Sequence, residues 1–275
     1  MSAYGFPPVF PERFNMADYF LDARLREGRG GRIAVKVGDA QYTYAEVQSL
    51  ANRVRFALGA HGIDLEDRVL LLLPDGVDFA VAWFGILKAG AVFCMGNPLS
   101  PEADLDHLLG YTRARRRSRT SPCSIASCPP SPSTRGARRA SSSRQEGQRA
   151  RGLRALGDAL AGEPDRTENA DTSRDDVAGW LFTSGTTGKP KGAVHFHHDF
   201  PYNTECYPSK VLGLREDDVF LSVSRLFFGY ATGTNLMFPF ASGARPCSFP
   251  TSHARAHLRA RREARRSRCS RTCPR

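Results

Sequence analysis

A continuous apolar run over residues 68–73, Arg-Val-Leu-Leu-Leu-Leu, constrains this chain more than any other feature. A strand with one face in water alternates polar with apolar residues. One without that alternation belongs in a parallel sheet covered on both sides. Pro74, Asp75 and Gly76 follow as a turn, residues 77–89 read as a helix, and residues 91–95 read as the next apolar strand. Strand, crossover helix and strand make a βαβ unit, so the fold class is α/β.

The flanking segments carry their own local signals. Residues 1–31 read as an extended arm with one short helix, in which Met16, Tyr19 and Phe20 have helical spacing. Residues 32–37 alternate as a strand. Thr43 and Glu46 have the spacing of a capping box, and Tyr44, Val47, Leu50, Ala51, Val54 and Leu58 then share one helix face up to Gly62. Ser100 as N-cap with Pro101 at the first helical position predicts another helix, buried through Leu105, Leu108 and Leu109. Further on, residues 156–161 read as a short helix and residues 219–223 as a strand. Residues 227–244 read as a glycine-containing turn into a buried helix.

At 275 residues the chain has ample length for a core. Its formal net charge of +11 would suggest a nucleic-acid partner, but the charge is unevenly placed. Residues 113–154 hold 12 arginines against one acid, Glu146, and residues 245–275 hold 10 against one acid, Glu263. Without these two islands the balance turns acidic. Both islands lack a period of 2 or 3.6 and mix Arg with Ser, Pro and Cys, the composition expected when GC-rich coding DNA is read out of frame. The division expected is therefore residues 1–112 and 156–244 as pieces of one domain, with 113–155 and 245–275 as basic disordered or out-of-frame segments.

Cys94 and Cys206 are the only cysteines outside the islands, and no paired Cys-x-x-Cys spacing occurs, so neither a disulfide framework nor a zinc knuckle is suggested. The N-terminus has no basic and apolar leader, and Pro74, Asp75, Asp78 and Lys88 interrupt the longest apolar region. No membrane span is expected, and the expected location is cytoplasmic.

Residues 180–193 read Trp-Leu-Phe-Thr-Ser-Gly-Thr-Thr-Gly-Lys-Pro-Lys-Gly-Ala, an apolar strand end followed by a turn of hydroxyls, glycines and lysines. Gly185, Gly188 and Gly192 let backbone amides converge on an anion, Thr183, Ser184, Thr186 and Thr187 add hydroxyls, and Lys189 and Lys191 add charge. The spacing is not that of the Walker phosphate loop, and Pro190 disfavours helix at Lys189. The turn should therefore not open straight into a helix.

This turn resembles the phosphate-binding loop of the AMP-forming adenylating enzymes, the acyl- and aryl-CoA ligases. Residues 85–92, Gly-Ile-Leu-Lys-Ala-Gly-Ala-Val, extend the resemblance to the N-terminal part of that superfamily's large domain. Residues 193–205, Ala-Val-His-Phe-His-His-Asp-Phe-Pro-Tyr-Asn-Thr-Glu, and 226–233, Leu-Phe-Phe-Gly-Tyr-Ala-Thr-Gly, are similar to the benzoate-CoA ligase branch. The resemblance implies that an aromatic acid attacks the α-phosphate of Mg·ATP, giving an acyl-adenylate that coenzyme A then intercepts. It assigns Thr183, Ser184, Gly185, Thr186, Thr187, Gly188, Lys189 and Lys191 to the ATP phosphates. Phe228, Gly229 and Tyr230 fall to the aryl-acid pocket, with His195 near it. His195, His197 and His198 at a strand end are expected at the surface rather than around a metal, and no metal site is expected.

The family's Tyr-Gly-x-Thr-Glu adenine motif, ribose-binding aspartate, hinge and small C-terminal domain with its catalytic lysine are not found before Arg275. The chain as written is thus expected to be an incomplete and inactive relative that exposes part of its sheet. The alternatives are another acyl-CoA synthetase of the same superfamily, a basic nucleic-acid-binding protein resting only on the islands, and a regulatory fragment that binds ATP or acid without turnover.

Overall fold

A computed structural model of the chain describes residues 5–37, 40–114, 116–118, 121–122, 160, 162–183, 189–220 and 224–246. Strands β1 (Ile33–Val37) and β2 (Ala40–Thr43) form an antiparallel pair leading into helix α1 (Tyr44–Ala60). The predicted capping box is formed: the Glu46 amide donates to Thr43 Oγ1 at 3.2 Å, and the Thr43 amide donates to Glu46 Oε2 at 2.7 Å. Tyr44, Val47, Ala51, Val54 and Leu58 are buried as their spacing predicts, while Leu50 is half-buried.

The predicted βαβ unit is present as β3 (Arg68–Leu71), α2 (Val77–Lys88) and β4 (Val92–Met95), with β3 and β4 parallel. The first strand stops two residues short of the expected Leu73, because Leu72 and Leu73 already lead into the turn and are only half-buried. Helix α2 is buried on every side, as its almost wholly apolar sequence requires. Trp83 at its centre meets Phe84, Phe93 and Phe20 at ring distances of 5.1, 5.2 and 6.3 Å.

Helix α3 (Glu102–Thr112) starts one residue later than the sequence suggests. The Pro101 carbonyl accepts the first helical bonds, from Asp104 at 3.0 Å and Leu105 at 3.1 Å, so Pro101 rather than Ser100 is the N-cap and no side chain caps this end. Only Leu108 of its expected apolar face is fully buried. Within the first basic island, Arg116–Ser118 pairs with Ser121–Pro122 as a short antiparallel ladder. The helix expected over residues 156–161 lies outside the described residues apart from Leu160, which is buried.

Strand β5 (Val177–Thr183) joins β4 in parallel, and β6 (Lys191–Phe196) returns antiparallel to β5, giving one sheet in the order β3-β4-β5-β6. Helix α4 (Asp199–Cys206) follows. The strand expected over residues 219–223 is β7 (Val219–Phe220), which pairs in parallel with β8 (Arg245–Pro246), and residues 221–223 lie outside the described residues. The chain is helical from Gly229 to Ser242, with a π turn at Gly233–Met237, and Gly243 closes it at φ 72°. This matches the predicted turn into a buried helix.

The N-terminal arm binds these parts together. Met16, Tyr19 and Phe20 are buried, the latter two in the helical turn Asp18–Asp22, which continues into Ala23–Arg26. The Phe14 amide donates to the Thr172 carbonyl at 2.8 Å, and Thr172 Oγ1 donates back to the Phe14 carbonyl at 2.8 Å. Beneath the arm lies an enclosed polar cluster. Lys88 Nζ meets Asp22 Oδ1 and Oδ2 at 2.7 and 2.6 Å and Asn169 Oδ1 at 3.0 Å. Gln48 and Asn169 donate to the same carboxylate at 2.6 and 2.7 Å.

Candidate active site

Parallel strands β3, β4 and β5 all end on one edge of the sheet, the edge where α/β proteins bind ligands. Thr183, the last residue of β5, and Lys191, the first of β6, lie at that edge. Register pairs Thr183 with Lys191, so the two residues close the mouth of a hairpin whose turn spans residues 184–190. As Pro190 predicts, the turn leads into a strand rather than a helix. Thr183, Lys189 and Lys191 are described, whereas Ser184, Gly185, Thr186, Thr187 and Gly188 lie outside the described residues.

The register also sorts the hairpin's two faces. Opposed residues of an antiparallel pair point to the same side, and successive residues alternate. One face therefore carries the pairs Thr183–Lys191, Leu181–Ala193 and Gly179–His195. The other carries Trp180–Val194 and Phe182–Gly192, against which Tyr111 of α3 packs with ring distances of 6.0 and 6.1 Å to Trp180 and Phe182.

On the first face, Gly229 sits against Leu181 of the middle pair. A Cβ on Gly229 would lie 2.9 Å from Leu181 Cδ1, so the start of the helical segment rests directly on β5. Phe228 and Tyr230 flank it at 53% and 68% exposure. Two of the three motif residues are thus presented to solvent rather than consumed by the core, which leaves their rings free to meet a ligand. One pair from Gly229, toward the turn, stand Thr183 and Lys191. One pair the other way stands His195.

His195 is fixed by its neighbours. Its Nδ1 is 3.3 Å from Asp199 Oδ2, and its ring lies 4.8 Å from that of Phe200. Asp199 Oδ2 also accepts the Phe196 amide at 3.0 Å, which anchors the carboxylate at the start of α4. Phe200 stacks on Phe93 at 6.2 Å, and Phe93 fills the space left by Gly179. A Cβ there would fall 2.1–2.5 Å from the Phe93 ring atoms. Gly179→Ala is accordingly expected to destabilise the fold by about 1–3 kcal/mol through overpacking. Urea denaturation would read this as a lower midpoint with an unchanged slope, and an unchanged midpoint would show that Phe93 can yield.

The surface expectation for the three histidines needs correction. His198 is half-buried, with Nε2 3.2 Å from Asp199 Oδ1 and Nδ1 2.8 Å from the Arg174 carbonyl. His197 is fully buried, and its Nδ1 accepts the Met16 amide at 3.0 Å. Strand alternation could not show this, because the covering arm lies at the other end of the chain. Leu181, Gly179 and Phe200 are likewise not legible from local pattern, since their partners Gly229 and Phe93 lie far away in sequence, whereas Asp199 meets His195 and the Phe196 amide only four and three positions back.

Comparison with known proteins fits this geometry. The AMP-binding enzyme family matches residues 22–272, a span that includes most of the chain, the first basic island and all but the last three residues of the second. The chain is 37% identical over 245 residues to a benzoate–CoA ligase of Thauera aromatica, covering 86% of this chain and 45% of that protein. It is 32% identical over 250 residues to a 4-hydroxybenzoate–CoA/benzoate–CoA ligase of Rhodopseudomonas palustris, covering 86% and 43%. The chain thus spans less than half the length of these relatives. Among solved structures, the anthranilate CoA ligase AuaEII in complex with anthranoyl-AMP superposes with a TM-score of 0.72 at 28% identity, over 88% of this chain and 46% of that one. A benzoate CoA ligase from Burkholderia xenovorans LB400 superposes with a TM-score of 0.66 at 29% identity, over 85% and 45%. With its α/β sheet and a family match that runs across residues 22–272, the chain belongs to the AMP-binding enzyme family.

Proposed function

We propose that this chain carries the phosphate-binding and acid-binding elements of an AMP-forming aryl-CoA ligase acting on benzoate or a substituted benzoate. The observation that supports this most is the placement of Gly229 against Leu181, whose pair with Ala193 is one step from Thr183–Lys191. An acid held by Phe228 and Tyr230 would then lie beside a triphosphate held at the hairpin mouth. In the first step the carboxylate oxygen bonds to the α-phosphorus of Mg·ATP and pyrophosphate leaves. In the second, the thiol of coenzyme A takes the acyl group and AMP leaves.

The first step spreads negative charge over the phosphates, which preorganised cations and hydroxyls offset. Lys191 supplies the charge and Thr183 the hydroxyl, with the turn residues Ser184, Gly185, Thr186, Thr187 and Gly188 and with Lys189 completing the cradle. Mg2+ enters with ATP as part of the substrate. The same reading takes residues 1–112 and 156–244 as pieces of one AMP-binding domain and residues 113–155 and 245–275 as basic segments beside them. It places the protein in the cytoplasm, where ATP and coenzyme A are available. Among the described residues, no helix is long and apolar enough to cross a membrane.

Calorimetric titration with Mg·ATP tests the reading. Saturable binding is expected, weakened about tenfold in Lys191→Ala, the scale of one hydrogen bond to a charged group. A wild-type chain that binds no Mg·ATP, or a Lys191→Ala chain that binds it equally well, would sink the assignment of the hairpin.

A further inference from the structure

We infer that Asp75 and Thr232 are positioning residues that fix the wall of the aryl-acid site and so set which acids it accepts. The inference rests on the acid-site assignment of Phe228, Gly229 and Tyr230. Asp75 lies in the turn after β3, on the same sheet edge as the hairpin mouth, and its side chain is only 6% exposed. Its Oδ1 accepts the Leu226 amide at 2.9 Å, and its Oδ2 is 3.2 Å from Arg225 Nη1. A carboxylate enclosed at the edge of the sheet is thereby committed to the residues that open the acid motif.

Thr232 holds the other side of the same turn. Fully buried, it donates from Oγ1 to the Leu226 carbonyl at 2.6 Å, with the Phe228 carbonyl at 3.1 Å and Met95 Sδ, at the end of β4, at 3.8 Å. The Phe228 amide closes the turn onto the Arg225 carbonyl at 2.9 Å. Leu226 is therefore held through both its amide and its carbonyl, and Gly229 is stopped against Leu181. Between these fixed points the exposed rings of Phe228 and Tyr230 project from a backbone with little freedom to shift. A wall held this way discriminates ligands by ring size, because opening it for a larger ring breaks hydrogen bonds to buried groups.

The test uses the full chain with Asp75→Asn and, separately, Thr232→Val. Calorimetry would follow benzoate, a bulkier ring-substituted benzoate and Mg·ATP, while hydrogen exchange would follow the Leu226 and Phe228 amides. Each variant is expected to weaken benzoate about tenfold, the scale of one lost bond to a charged or buried group. Mg·ATP binding should stay unchanged, and the discrimination between the two benzoates should narrow. Folded variants with unaltered benzoate affinity would overturn the inference, and so would acid and ATP weakening in parallel, the mark of a purely structural role. Wild-type protein that binds neither ligand would instead reject the site assignment. The clamp would then stand or fall on exchange alone: faster exchange at both amides in Asp75→Asn supports it, and unchanged protection refutes it.

Discussion

Replacing Lys88 with methionine is expected to cost the folded state about 3–5 kcal/mol, the usual penalty for leaving a buried partner charge uncompensated. Lys88 is 1% exposed, and Asp22, Asn169 and the Gln48–Asp22 bond enclose it. Burial pulls the Lys88 pKa down, and the charge of Asp22 works against that pull. Methionine matches the volume but leaves the Asp22 carboxylate with only the amide donors of Gln48 and Asn169. The cluster joins the N-terminal helical turn, α1, α2 and the segment leading to β5, so its loss loosens four parts of the chain together. The double variant Asp22→Leu/Lys88→Met should recover much of the loss, since an ion pair replaced by apolar groups is often neutral. Urea denaturation of both singles and the double measures the coupling. A Lys88→Met chain as stable as wild type would show that the pair is not closed off from water.

His197 should give the protein an acid-side stability loss of about 3 kcal/mol between pH 6.5 and pH 4, from the free energy of its pKa displacement. Burial lowers its pKa from 6.5 to about 4, against the opposing charge of Asp176. The Met16 amide donates to Nδ1, so the neutral ring carries its proton on Nε2, which has no hydrogen-bond partner among the described residues. In the unfolded chain the ring protonates near pH 6.5, but in the folded chain only near pH 4. Between those values the unfolded state binds more protons, so stability is full above pH 6.5 and falls as pH drops toward 4. Asparagine at this position keeps an acceptor for the Met16 amide and cannot titrate. The stability difference between wild type and His197→Asn should therefore change by about 3 kcal/mol across this window. Parallel pH curves for the two proteins would contradict the buried neutral ring.

The contrast between these two residues and Thr43 shows what the sequence could reveal. A capping box spans four neighbouring positions, so Thr43 and Glu46 declare it locally, and the apolar runs around α2 declare a parallel unit without reference to anything distant. Lys88 reads in isolation as a charge interrupting an apolar stretch, because Asp22 and Asn169 lie far from it in sequence. His197 is bonded to a backbone amide 181 positions away. The run of hydroxyls, glycines and lysines over residues 183–192 is legible in the sequence, yet the antiparallel register of the strands that flank it is not. Register is what places Thr183, Lys191 and His195 on one face. The contact of Gly229 with Leu181 likewise follows from packing between segments that local pattern cannot order.

The central claim is that the hairpin and the Phe228–Tyr230 motif form one site, and a paired-ligand measurement addresses it directly. Benzoyl-sulfamoyl-adenosine, a stable mimic of the acyl-adenylate, would be titrated against sulfamoyl-adenosine, which lacks the ring. If acid and nucleotide are held side by side, the benzoyl compound should bind at least about tenfold more tightly, because the second contact becomes intramolecular. Phe228→Ala should abolish that advantage without weakening sulfamoyl-adenosine. Equal affinities for the two compounds in wild-type protein would contradict the account.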